Sequence, residues 1–153
     1  MIILLLFIQF ILFTSAEIVK GNCGRSTTPE ECQYEYNDKS KVLRIKGSGQ
    51  VNSYSSSSEV PWNSYASSIE ILIVEEGITS LGQYSFSSCS SLKTISLPQS
   101  LKSWGSWVFE RSLVKHMTLP SQMTSIGLLP YSLKSLFFPS SVNSFSYLNF
   151  KRL

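Results

Sequence analysis

The chain has one histidine, His116, one aspartate, Asp38, and three cysteines, Cys23, Cys32 and Cys89. A serine hydrolase would need His116 as its base, and Asp38 is the single aspartate that could orient it. The Gly-x-Ser-x-Gly turn that exposes a nucleophilic serine does not occur. A thiol–imidazole pair would have to use Cys89. Zinc needs ligands at paired, close spacing, and three scattered cysteines with one histidine do not supply it. Gly47-Ser48-Gly49 is not followed by the Gly-Lys-Ser/Thr of a phosphate loop. We assign no catalytic residue, no metal ligand and no cofactor.

Composition points the same way. The 153 residues suffice for one ordinary domain, and charged residues make up only 15% against 42% apolar. About one residue in five is serine, which implies a hydroxyl-rich surface. A net charge of +3, spread along the chain, is too slight to single out nucleic acid as a partner.

The start of the chain is a leader in form. Ile2 to Phe13 is apolar except for Gln9, the length of a signal-peptide core and short of the roughly 17–25 residues that span a bilayer. Thr14-Ser15-Ala16 follows, with small residues where signal peptidase requires them, so the mature chain is expected to begin at Glu17. An uncleaved anchor or a buried first helix is the alternative, since no basic residue precedes the apolar run. Beyond the leader we expect no transmembrane segment; Asn149, Lys151 and Arg152 interrupt the last stretch. A secreted or extracellular-surface location follows. In such an oxidising compartment Cys23 and Cys32 are candidates for a disulfide worth roughly 2–4 kcal/mol. Cys89 is then left over, as a buried small hydrophobe or as a reactive thiol.

What positions these residues is an internal repeat. Leu92-Lys93-Thr94-Ile95-Ser96-Leu97-Pro98 recurs from Val114 to Pro120 and again from Leu133 to Pro139, with a looser copy from Ile69 to Glu75. Successive copies start 23, 22 and 19 residues apart. Each continues to an apolar residue (Ile78, Leu101, Met123, Val142) and, two further on, a serine (Ser80, Ser103, Ser125, Ser144). A small residue follows (Gly82, Gly105, Gly127, Ser146), then an aromatic four residues later (Phe86, Phe109, Tyr131, Phe150). The first, fourth and sixth positions of each copy are expected to turn inward from a short strand, the proline to end it, the glycine to allow a tight turn and the aromatic to cap the core. One coil cannot bury its apolar edge alone, so neighbours must stack. The third coil is short, with only Ser132 between Tyr131 and the next strand. The expected architecture is mainly β, an α/β-type solenoid with parallel strands. Residues 1–16 are the signal peptide, 17–68 an N-terminal β cap and 69–153 about four coils. Trp62 and Tyr65 are read as cap or core aromatics, with ligand binding as the alternative.

The pattern S-L-K-x-I-x-L-P-x-S-L-x-S-x-G-x-x-x-F from Ser91 to Phe109 resembles the BspA-type leucine-rich repeat. So does the run from Gly77 through Leu92. Gly21-Asn22-Cys23-Gly24, Leu43 to Gly49 and Pro61-Trp62 resemble the segment that precedes these repeats in many members. The resemblance implies a secreted or surface-displayed protein of bacteria or parasitic protists, associated with adhesion to host matrix proteins and cells. It supplies no catalytic residues.

The expected site is therefore a binding surface. Stacking would align Ile71, Thr94, His116 and Ser135 in one row and Ile73, Ser96, Thr118 and Phe137 in a second, beside a lysine column of Lys93, Lys115 and Lys134. An extracellular protein or glycan is the expected partner. The lysines either meet an acidic ligand or guard the strands against edge-to-edge pairing. Phe137 either contacts the ligand or packs on a further coil. A structural fragment of a longer repeat protein, without independent activity, is the alternative function.

Overall fold

The computed structural model describes residues 16–142, 144 and 145. Most of the expected leader (residues 1–15), Ser146 and Phe150 lie outside the described residues. The chain opens with an antiparallel meander of β1 (Ile18–Asn22), β2 (Cys32–Asn37) and β3 (Val42–Gly47). Strict alternation drives it: Cys32, Tyr34 and Tyr36 of β2 and Leu43 and Ile45 of β3 are buried on one face. Cys23 and Cys32 are disulfide-bonded, with Cα atoms 4.9 Å apart, and close the loop between β1 and β2.

From β3 onward the chain winds as a solenoid with two parallel sheets, the expected leucine-rich-repeat architecture. One sheet adds β5 (Ile71–Val74) and β7 (Thr94–Ser96) to β3, and continues in space as the separate pair β9 (His116–Thr118) and β11 (Ser135–Phe137). The other sheet runs β4 (Gly49–Gln50), β6 (Ile78–Leu81), β8 (Ser103–Trp104), β10 (Ser125–Ile126) and β12 (Ser144–Phe145). Parallel pairing thus begins a coil before the sequence repeat does. Val42 faces Ile71 and Gly49 faces Ile78, so the segment ahead of the repeats contributes a coil of its own.

The coils bury what their spacing demands except at the sixth position of the last copy, where Phe138 is 38% exposed. Leu72, Leu92, Val114 and Leu133 line the core under the first sheet, and Ile78, Leu101 and Met123 line it under the second. The serines of the repeat stand in register: Ser80 opposite Ser103, Ser103 opposite Ser125, and Ser125 opposite Ser144. The hydroxyls of Ser80 and Ser103 are 3.0 Å apart. Cys89 is buried behind β7, the core placement of the two considered.

The aromatic column is real but shorter than expected. Trp62, fully buried, stacks on Phe86 at 5.3 Å between centroids, and Phe86 stacks on Phe109 at 5.9 Å. Trp62 also donates its Nε1–H to the Ser85 carbonyl at 2.9 Å, so its role is in the core. Tyr65 stacks on Tyr36 at 5.1 Å, within the cap. Tyr131 breaks the column: it is 61% exposed. With one residue between it and the next repeat copy at Leu133, the third coil has no outer arc to swing the ring inward, and Pro130 is buried beside it.

The glycines also act differently from expectation. Gly82, Gly105 and Gly127 do not have the positive φ of a tight turn; among described glycines that belongs to Gly47, Gly49 and Gly77. Their constraint is the neighbouring coil. A Cβ on Gly127 would collide with the Gly105 carbonyl, and one on Gly82 with the Asn52 carbonyl. The repeat keeps a residue without a side chain there because the coils' backbones touch.

Candidate functional site

The candidate contact residues are delivered by the strands of the first sheet. Thr94 and Ser96 flank inward-turned Ile95 on β7, His116 and Thr118 flank buried Met117 on β9, and Ser135 and Phe137 flank Leu136 on β11. All six outer residues are exposed, Phe137 by 77%. A groove of about 430 Å³ lies over these strands, lined among others by Ser96, Gln99, His116, Thr118, Ser135 and Phe137.

The two expected rows are present in segments. Ile71 faces Thr94 and Ile73 faces Ser96; His116 faces Ser135 and Thr118 faces Phe137. Between Thr94 and His116, and between Ser96 and Thr118, the rows are interrupted, because no ladder joins β7 to β9 among the described residues. The coils remain tied on either side of this seam. Leu113 N–H donates to the Leu92 carbonyl at 2.8 Å before the strands. After them, Gln99 Oε1 accepts from Ser121 N–H at 3.1 Å and from its hydroxyl at 2.9 Å.

Gln99 is a site residue that the row pattern missed. It belongs to a polar column directly after the strand-ending position, Glu76, Gln99 and Ser121, and its own N–H donates to Glu76 Oε1 at 2.7 Å. That bond, joined by one from Ser100 N–H to Glu76 Oε2 at 3.1 Å, holds the Glu76 carboxyl below the usual carboxylate range. A polar residue recurring after each strand was the available signal.

The lysine column is exposed as expected, but its members differ. Lys93 Nζ lies 3.2 Å from Glu70 Oε2, an ion pair open to solvent and correspondingly weak. Among the described residues, the ammonium groups of Lys115 and Lys134 have no ion-pair partner. Their backbones are joined, Lys134 N–H donating to the Lys115 carbonyl at 2.7 Å.

The elements of the hydrolase alternative are not brought together. His116 Nδ1 shares a hydrogen bond of 2.7 Å with Ser135 Oγ, in the open groove. Asp38 sits at the β2–β3 turn, where its Oδ1 accepts from Glu17 N–H at 2.9 Å. Cys89 is sealed in the core, and burial pushes its thiol up to about 12, which suppresses the thiolate. Among the described residues no three His, Cys, Asp or Glu side chains group as a metal site, and no helix is long and apolar enough to cross a membrane.

Comparison with solved structures places the fold. A leucine-rich repeat protein from Eubacterium ventriosum superposes with a TM-score of 0.68 at 20% identity, covering 84% of this chain and 40% of that one. The chain thus spans two fifths of that protein's length. A leucine-rich repeat protein of T. pallidum matches with a TM-score of 0.42 at 16% identity, covering 76% of this chain and 68% of that one. No curated protein matches the chain. The BspA type leucine rich repeat region, in 6 copies, matches residues 63–153, more than half of the sequence, and the chain belongs to that family.

Proposed function

We propose that this chain is a secreted adhesion module that binds host matrix or cell-surface partners, protein or glycan, through the exposed face of β7, β9 and β11. The family supports a repeat scaffold for protein binding. The observation that carries the choice of surface is Phe137, 77% exposed in a groove whose other exposed lining residues, Ser96, Gln99, His116, Thr118 and Ser135, are all polar. Aromatic residues on rigid strands lose little entropy on contact and are frequent anchors of protein interfaces. Secretion is supported by the signal-like start and by the Cys23–Cys32 disulfide, a bond favoured in oxidising compartments.

Solid-phase binding to immobilised matrix proteins and glycans tests the reading. The expected result is saturable binding that Phe137→Ala weakens by about tenfold or more, with an unchanged thermal melt. A folded sample that shows no saturable binding to any of them removes the adhesive function.

A further inference from the structure

The seam between β7 and β9 has a chemistry that the flat strand face lacks. In a parallel strand, successive residues send their backbone N–H and C=O to alternate sides. On β7, Thr94 uses its N–H on the Glu70 carbonyl at 3.3 Å, toward β5. On β9, the Lys115 carbonyl accepts from Ser135 N–H, and Leu119 N–H donates to the Phe137 carbonyl, both at 3.1 Å and both toward β11. The intervening residues face the other way. Ile95 on one lip, and His116 and Thr118 on the other, keep their backbone groups for the seam, where no ladder uses them.

We propose that this seam binds a short extended peptide rich in carboxylates, held by backbone hydrogen bonds to the free edges of β7 and β9. The proposal rests on the strand face being the contact surface and names the ligand class it takes. Donors and acceptors at strand spacing match another extended backbone, which is the chemistry of strand addition, and a sugar ring does not reproduce that spacing. Charge selects within peptides. No carboxylate lines the groove, while Lys115 and Lys134 stand next to it with their ammonium groups unpaired among the described residues. Glu70, Glu75 and Glu76, which flank β5, are engaged with Lys93, Arg44 and Gln99. The seam is pinned at Leu92–Leu113 and Gln99–Ser121, so it pairs with the few central residues of an extended segment, whose ends lie outside it.

The test uses the full chain, a labelled octapeptide alternating Glu and Val, the same octapeptide with alternate nitrogens methylated, and heparin. Saturable octapeptide binding is expected, with slowed amide exchange at Ile95, His116 and Thr118 that is fast in the free chain. The N-methylated peptide should bind about tenfold or more weakly, and Lys115→Ala/Lys134→Ala should weaken the parent peptide by about tenfold at low salt without altering the melt. Equal affinity for the N-methylated peptide overturns the proposal, as does heparin binding without peptide binding. Slow exchange of these three amides in the free chain overturns it too, because the strands would then be paired. Failure of the octapeptide while matrix binding remains Phe137-dependent rejects the seam and leaves the adhesive surface standing. Octapeptide binding with no matrix binding rejects the adhesive role and keeps the seam.

Discussion

Trp62 joins the segment ahead of the repeats to the first full coil, through its bond to the Ser85 carbonyl and its stack on Phe86. The column continues to Phe109, which also meets Trp104 edge-on at 5.5 Å. Removing the Phe109 ring should open a cavity between coils, and Phe109→Ala is expected to cost about 3–5 kcal/mol in urea denaturation. Tyr131→Ala, at an exposed ring, should stay within about 0.5 kcal/mol. Similar losses at the two positions would contradict the truncated column. Sequence alone marked all the aromatics alike, since an aromatic stands at the same spacing at Tyr131. What separates them is the length of chain that follows, five residues after Phe86 and one after Tyr131. Cys89 was legible as core because serines flank it on both sides and the repeat fixes its place behind the strand.

At the level of elements, the glycine column shows how a correct position was given the wrong reason. A glycine in a repeat suggests a turn, but Gly127 lacks positive φ and meets the Gly105 carbonyl of the preceding coil. Gly127→Ala should force the coils apart and lower stability by about 1–3 kcal/mol; a neutral effect in the same denaturation assay would mean that the coils are not in backbone contact. The meander has its own electrostatic tie. Glu35 on β2 lies between Lys46 of β3 at 2.6 Å and Lys20 of β1 at 3.0 Å. Hydrogen bonds to Lys46 and then Lys20 hold its carboxyl below the ordinary glutamate value of 4.5. A depressed folded value means that the stabilisation is complete above the unfolded value and disappears as pH falls through the folded one. Melting temperature should therefore fall with acidification below about pH 4.5 more steeply in the native chain than in Glu35→Gln. Identical slopes would contradict the bridge. The serine ladder was readable from its period, whereas the seam was not. The residues at Thr94 and His116 hold equivalent places in the repeat, and whether their strands pair depends on how unequal outer arcs carry successive coils.

As a whole molecule, the chain is a stack in which each coil touches its neighbours, so the terminal coil needs a cover. The antiparallel meander supplies it at one end, fastened by the disulfide and by the parallel step from β3 to β5. The repeat was legible because four copies agree in apolar spacing. The coil donated by Val42–Gln50 was not, because it lies 29 residues from its partner strand, outside the rhythm of the later copies, and is separated by a serine-rich stretch. The binding rows were legible as exposed strand positions, and their interruption required the sheet itself. The binding role turns on which of the two sheets meets a partner. Hydrogen-exchange mass spectrometry, with and without whichever matrix protein binds saturably, decides it. Protection is expected in residues 93–97, 115–119 and 134–138, while protection confined to the serine-bearing strands at 102–105 and 124–127 would contradict it.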